Sequence, residues 1–242
     1  MSQEATTSSV NGGSSPVQTI INVFLSPREA FEALERKPNW VVPFVIILIV
    51  SLAATYFIAP IAMQERMESQ REQLIEDRGM TPEEADQAMA VGARIGRIAA
   101  PIMGVVGAGV VLVIVAAVLL FLGNIIMGGD GNFKRVFSMY SYSSMIGVLG
   151  TIITTPFIIS KQTVHMSVGL GALLTPVTEG AFMDKFVYQL LSKVELFTIW
   201  QLVVVSIGMA VVYKFTTKKA ATGVVVVYIL YAIIASLIAA AF

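Results

Sequence analysis

The sequence predicts an all-α fold, an integral membrane bundle of five transmembrane helices with short interfacial helices. Two observations predict it. Of 242 residues, 56% are hydrophobic and 13% charged, against roughly 45–50% apolar and about 25% charged in soluble domains. The apolar residues are also gathered into unbroken runs long enough to cross a ~30 Å hydrocarbon layer, where a soluble core would scatter them at helix or strand periodicity.

Three segments follow in order. Residues 1–15 are mostly Ser, Thr, Gly and Asn with almost nothing to bury, which predicts a disordered polar tail. No basic region followed by an apolar one opens the chain, so no cleaved signal peptide is expected. Residues 16–39 carry two amphipathic helices. Val17, Ile20, Ile21 and Phe24 keep the i, i+3, i+4, i+7 spacing of one helix face. Ser26-Pro27-Arg28-Glu29 supplies an N-cap, a proline at the first helical position and an early glutamate, and the helix it starts presents Ala30, Phe31 and Leu34 on one side. The pair is expected to form a membrane-surface collar, with Phe24 and Phe31 as candidate lipid or partner contacts.

Residues 40–242 form the membrane domain. Its first span runs from about Trp40, an interfacial anchor, to Met63. The charged stretch QERMESQREQLIEDRG follows, closed by Gly79 as a C-cap and by Thr81-Pro82-Glu83-Glu84 as a new helix start, which predicts a helical hairpin in water. Spans two (Ala99–Met127) and three (Val136–Ser160) are joined only by the Gly-rich turn GGDGNFKR and must be antiparallel neighbours. A longer connection, Lys161–Val194, places Phe182, Met183, Phe186, Val187, Leu190, Leu191 and Val194 on one helical face expected to lie on the bilayer surface. Span four (Glu195–Tyr213), the turn KFTTKKA and span five (Ala220–Phe242) complete the chain. Pro60, Pro101 and Pro156 are expected to end spans; broken helices around a binding site are the alternative.

Charge and composition exclude several function classes. Net charge is zero, so no bulk attraction to nucleic acid exists. The chain has no cysteine and one histidine, His165, which removes disulfides, thiolate zinc sites and histidine-based metal sites. No Asp, Glu or His lies at membrane depth to activate a nucleophile or relay protons, so the chain is read as not an enzyme and as needing no cofactor. The 16 basic residues divide evenly between the two sides of the membrane. Those on the N-terminal side crowd into two short turns and beside span one, which places the N-terminus in the cytoplasm.

The remaining candidates are polar or small. Asn124 and Gln201 are the large polar side chains within or near the spans and serve either helix-to-helix hydrogen bonds or a polar path. Small residues recur every fourth position at Ala100, Gly104 and Ala108, at Ser143, Gly147, Thr151 and Thr155, and at Ala232, Ser236 and Ala240, faces that permit close helix approach or line a pore. Gly104, Asn124, Gly147 and Gln201 are therefore the candidate packing or polar-path residues. Gly128, Gly129 and Gly131 lack the strand and the Lys-Ser/Thr pair of a phosphate-binding loop. Lys134 and Arg135 are candidate contacts for anionic headgroups. Glu195 sits where the positive end of a helix favours a carboxylate, with Lys161 or Lys193 as an alternative partner. The acidic hairpin from Glu65 to Asp86 is a solvated face and the best exposed docking surface for a protein partner.

Three stretches, FLSPREAFEALERKPNW, GGDGNFKRVFSMYSYSSM and VELFTIWQLVVVSIGM, taken in this order and spacing, resemble the bacterial branch of the Yip domain family of five-span membrane proteins. Where bacterial relatives tend to carry aspartate before Phe-Thr-Ile-Trp, this chain carries Glu195. The resemblance covers the chain from Val17 onward and implies a polytopic protein of the cell membrane, the cytoplasmic membrane for a prokaryote. In eukaryotic relatives it also implies contact with small GTPases in vesicle traffic, machinery a prokaryotic member would lack. The expected role is a non-catalytic one, organising lipids or partner proteins, with the bilayer, anionic lipid, another membrane protein or a second copy of the chain as partners. The competing expectation is an uncoupled small-solute or ion transporter with its site among Asn124, Gln201, Pro101 and Pro156.

Overall fold

A computed structural model of the chain describes residues 15–164, 169–174 and 181–241. The tail through residue 14 and His165 lie outside the described residues. Nine α-helices appear among them: α1 (Pro16–Leu25), α2 (Pro27–Arg36), α3 (Val41–Glu76), α4 (Pro82–Phe121), α5 (Phe133–Ser143), α6 (Met145–Lys161), α7 (Phe182–Ser192), α8 (Leu196–Tyr213) and α9 (Thr217–Ala241). The described residues contain no strand. Five segments are long and apolar enough to cross a membrane, Val41–Met67, Ile98–Ile126, Phe133–Lys161, Leu196–Tyr213 and Thr217–Ala241. The five-span expectation holds.

The second helix departs from the surface collar, and the first does so only in part. Ser15 caps α1 by accepting the Gln18 N–H at 3.2 Å, and prolines open both α1 and α2, as their sequences demand. The apolar face of α2, however, is inside the protein: Ala30, Phe31 and Leu34, with Val23 of α1, are buried in the core built by α5 and α8, whereas Val17 and Ile21 of the α1 face stay exposed. Phe31 lies over Gly208 beside Met139, in the gap that the missing side chain leaves. Phe24 meets Trp200 edge to face, ring centroids 5.6 Å apart. An amphipathic stripe looks the same in sequence whether it faces lipid or other helices. For α2 the gap at Gly208 is where that face packs on helices.

Spans one and two are longer than their apolar runs. Helix α3 continues through the charged stretch to Glu76, and α4 starts at Pro82, so the hairpin is an extension of the two spans. Its tip follows the sequence signals. Gly79 adopts φ +64°, the left-handed region where a side chain is strained. Thr81 and Glu84 form a reciprocal capping box, with Thr81 N–H donating to Glu84 Oε2 at 2.9 Å and Glu84 N–H to Thr81 Oγ1 at 3.3 Å. Glu84 is held below the usual carboxylate range by the hydrogen bonds from the Thr81 backbone and hydroxyl.

The prolines do not end spans. Pro60, Pro101 and Pro156 lie inside α3, α4 and α6. Each removes one amide donor but leaves the turns on either side bonded, and a membrane leaves the backbone no alternative partner. Span three instead breaks at Ser144, between α5 and α6. There Ser143 Oγ donates back to Met139 O and Ser144 Oγ to Tyr140 O, both at 2.9 Å. Such back-bonding competes with the ladder and bends helices. Helix α7 packs on α9, where the Tyr228 hydroxyl donates to Lys193 O at 2.6 Å, and it leaves Phe182 and Met183 exposed.

Candidate functional site: a groove between spans

Helices α3 and α4 are antiparallel, and their register is set by two glycines. Gly104 lies against Thr55, while Ser51 Oγ donates to Gly104 O at 3.2 Å. Two turns nearer the hairpin, Gly96 lies against Met63. Where this pair faces α6 and α8, small residues (Ala54, Ala62, Gly92, Ala93, Ala100 and Ala108) leave an open groove of about 880 Å³. Its floor is polar but uncharged. Gln201 Nε2 donates to Ser144 Oγ at a long 3.4 Å, Gly147 lies opposite Gln201 Oε1, and Thr151 Oγ1 donates to Gly147 O at 3.0 Å. At the hairpin end the mouth is formed by Arg66, Gln70 and Leu74 on α3 and by Met89 and Gly92 on α4. Among the described residues Arg66 is the charged member of the lining, and no carboxylate contributes to it.

A profile of the Yip1 domain matches residues 21–240. The chain belongs to the Yip1 domain family. No curated protein and no solved structure matches the chain. The Yip1 domain here is thus a polytopic membrane bundle with a lateral groove between its spans.

A second groove of about 870 Å³ lies on another face of the α3–α4 pair and includes Tyr56, Phe57, Pro60, Pro101 and Arg71. Its arginine is engaged, since Arg71 Nε donates to Asp86 Oδ1 at 2.8 Å. That bond holds Asp86 below the usual carboxylate range and raises Arg71.

Of the residues singled out from sequence, the Yip1-domain fold brings Gly147 and Gln201 together in the first groove and places Gly104 at the α3–α4 contact. Asn124 is elsewhere. Its carboxamide closes the turn after α4, donating to Gly131 O at 2.9 Å and accepting from Gly131 N–H at 3.0 Å. The polar path expected through Asn124 and Gln201 is therefore not assembled, because the half-buried Asn124 amide is satisfied locally by the glycine turn. Pro101 lines the second groove, and Pro156 lines neither. Arg135 approaches Glu35 at 3.8 Å, and Lys134 is exposed. Glu195 caps α8 through its backbone alone. Burial pushes its carboxyl up, and the nearby Lys193 opposes that shift.

Sequence reasoning missed Ser51, Thr55 and Ser144, whose signal was small or hydroxyl residues on the inner face of spans one and three. It also missed why the turn GGDGN is glycine-rich. Gly123, Gly129 and Gly131 all abut the ring of Tyr213, which stacks on Phe215 at 5.4 Å. Lys219 Nζ then sits 4.2 Å from the Phe215 centroid and donates to Met127 O at 2.9 Å.

Proposed function

We propose that this Yip1-domain protein is a non-catalytic membrane protein that organises lipids, taking a lipid chain sideways into the groove between α3, α4, α6 and α8. The groove itself supports the reading. Its volume of about 880 Å³ falls within the 300–1,000 Å³ typical of ligand sites. Within a bilayer, an open cleft lined mostly by Ala, Ile, Val and Met side chains gives water too few hydrogen-bond partners, and acyl chains are the abundant alternative. Among the described residues no carboxylate or imidazole lines it to activate a nucleophile or pass a proton.

Uncoupled solute passage is the competing reading, favoured by the amide and hydroxyls of Gln201, Ser144 and Thr151 on the groove floor. One pair of measurements separates the two. Protein extracted in native membrane discs should retain lipid by native mass spectrometry and lose it in a Gly147→Leu variant, while proteoliposomes should pass neither protons nor a panel of osmolytes. Osmolyte flux abolished by Gln201→Leu, with no lipid retained, would establish the transporter instead. For orientation, we propose a cytoplasmic N-terminus in the cell membrane. Arg28, Arg36, Lys134, Arg135, Lys214, Lys218 and Lys219 all fall at the α1–α2 end of the antiparallel spans.

A further inference from the structure

We infer that the groove selects an anionic glycerophospholipid from the leaflet on the hairpin side, with its phosphate on Arg66 and one acyl chain laid toward Gln201; this rests on the lipid reading above. Arg66 occupies the end of the apolar part of α3, Val41–Met67, which is the headgroup level. It is exposed, lines the groove mouth, and forms no ion pair among the described residues. From Arg66 to Ser51 the groove follows α3 for about 22 Å at 1.5 Å per residue. One leaflet of hydrocarbon is about 15 Å thick. A full acyl chain therefore fits below the guanidinium.

The neighbouring charges favour this groove over its counterpart. The Glu65 carboxylate, next in sequence to Arg66, accepts the Val164 N–H at 3.2 Å and so is turned toward the end of α6. Arg71, in the second groove, is already neutralised by Asp86 at 2.8 Å. Of these two grooves the first thus offers a guanidinium with no ion pair among the described residues. The planar guanidinium fork matches phosphate oxygens in bidentate fashion, and Gln70, one turn further along α3 on the same face, adds an amide donor.

The test reconstitutes the full chain and its variants into vesicles of equal phosphatidylglycerol and phosphatidylcholine, extracts them in mild detergent and counts retained lipids by native mass spectrometry. The wild type should prefer phosphatidylglycerol about fivefold, the gain one arginine near anionic lipid confers. Arg66→Gln, a change at an exposed site, should bring the ratio to about one without lowering total lipid, and Arg66→Lys should keep part of the preference. Gly92→Leu should lose both lipids. The glycine lines the groove mouth, a Cβ there meets nothing within 4 Å, and the variant should still fold. If Arg66→Gln keeps the preference while Gly92→Leu sheds lipid, the headgroup assignment is wrong and the lipid reading stands. If Gly92→Leu and Gly147→Leu both retain wild-type lipid, or the wild type retains none, both fall.

Discussion

The turn after α4 offers the sharpest test of how this bundle is locked. A methyl group at Gly123 would stand 2.5 Å from Cε2 and 2.6 Å from Cε1 of Tyr213, where carbon atoms prefer roughly 3.5–4.0 Å. The ring cannot simply retreat. It is 7% exposed, stacks on Phe215, and is enclosed on its other edges by Gly129 and Gly131. Forcing a methyl into such packing costs about 1–3 kcal/mol, offset in part by the ~0.5–1 kcal/mol that alanine gains over glycine in a helix. At the middle of both ranges a net loss of about 1 kcal/mol lowers the melting temperature by roughly 2–4 °C in a chain of this length. Thermal unfolding in lipid discs, followed by intrinsic fluorescence, reads the shift. In a Tyr213→Ala background the obstacle is gone, and Gly123→Ala should cost nothing. Gly107→Ala, where a Cβ meets nothing within 4 Å, is the control and should be neutral or stabilising. The reasoning fails if Gly123→Ala melts within about 1 °C of wild type, or costs as much without the Tyr213 ring as with it.

Other perturbations test separate parts of the structure. Phe31→Ala removes a fully buried aromatic and should cost about 3–5 kcal/mol; a loss below about 1 kcal/mol would return the helix to the membrane surface. Burial raises the Glu195 carboxyl, so its contribution to stability is fully present below the unfolded carboxylate range and is lost as pH rises through the raised folded value. Glu195→Gln should flatten that decline, and a melting-temperature profile that still follows wild type from about pH 4 to 8 would contradict it. The chain has no cysteine, so single cysteines at Gln73, Asn132 and Thr217 report topology cleanly. An impermeant thiol reagent on intact cells should label only Gln73, and labelling at Asn132 or Thr217 would invert the orientation.

What was legible in the sequence is whatever depends on one segment at a time. Apolar runs gave the spans, and Gly79 with Thr81 and Glu84 gave the hairpin tip to the residue, because C-caps and capping boxes are satisfied within a few positions. The proline reading failed for the converse reason. Whether Pro60 ends a helix or sits inside one depends on whether the flanking turns stay bonded, and α3 continues beyond it to Glu76. Relations between segments were illegible for the same cause. Nothing near Gly208 announces that Phe31 will cover it, and nothing in GGDGN announces Tyr213.

The groove is the strongest case of this dependence. Its lining joins Ser51 and Arg66 of α3, Gly92 of α4, Ser144 and Gly147 of span three, and Gln201 of α8, a set with no common motif and fixed only by interhelical register. That register hangs on Gly104 meeting Thr55 and Gly96 meeting Met63. Shifting α3 by one residue against α4 would rotate its side chains by about 100° and carry Arg66 away from the mouth. The same two glycines that let the helices touch therefore also set which arginine faces the groove. A stripe of small residues, which by itself reads as packing, thereby determines where a charge is left open at the groove mouth.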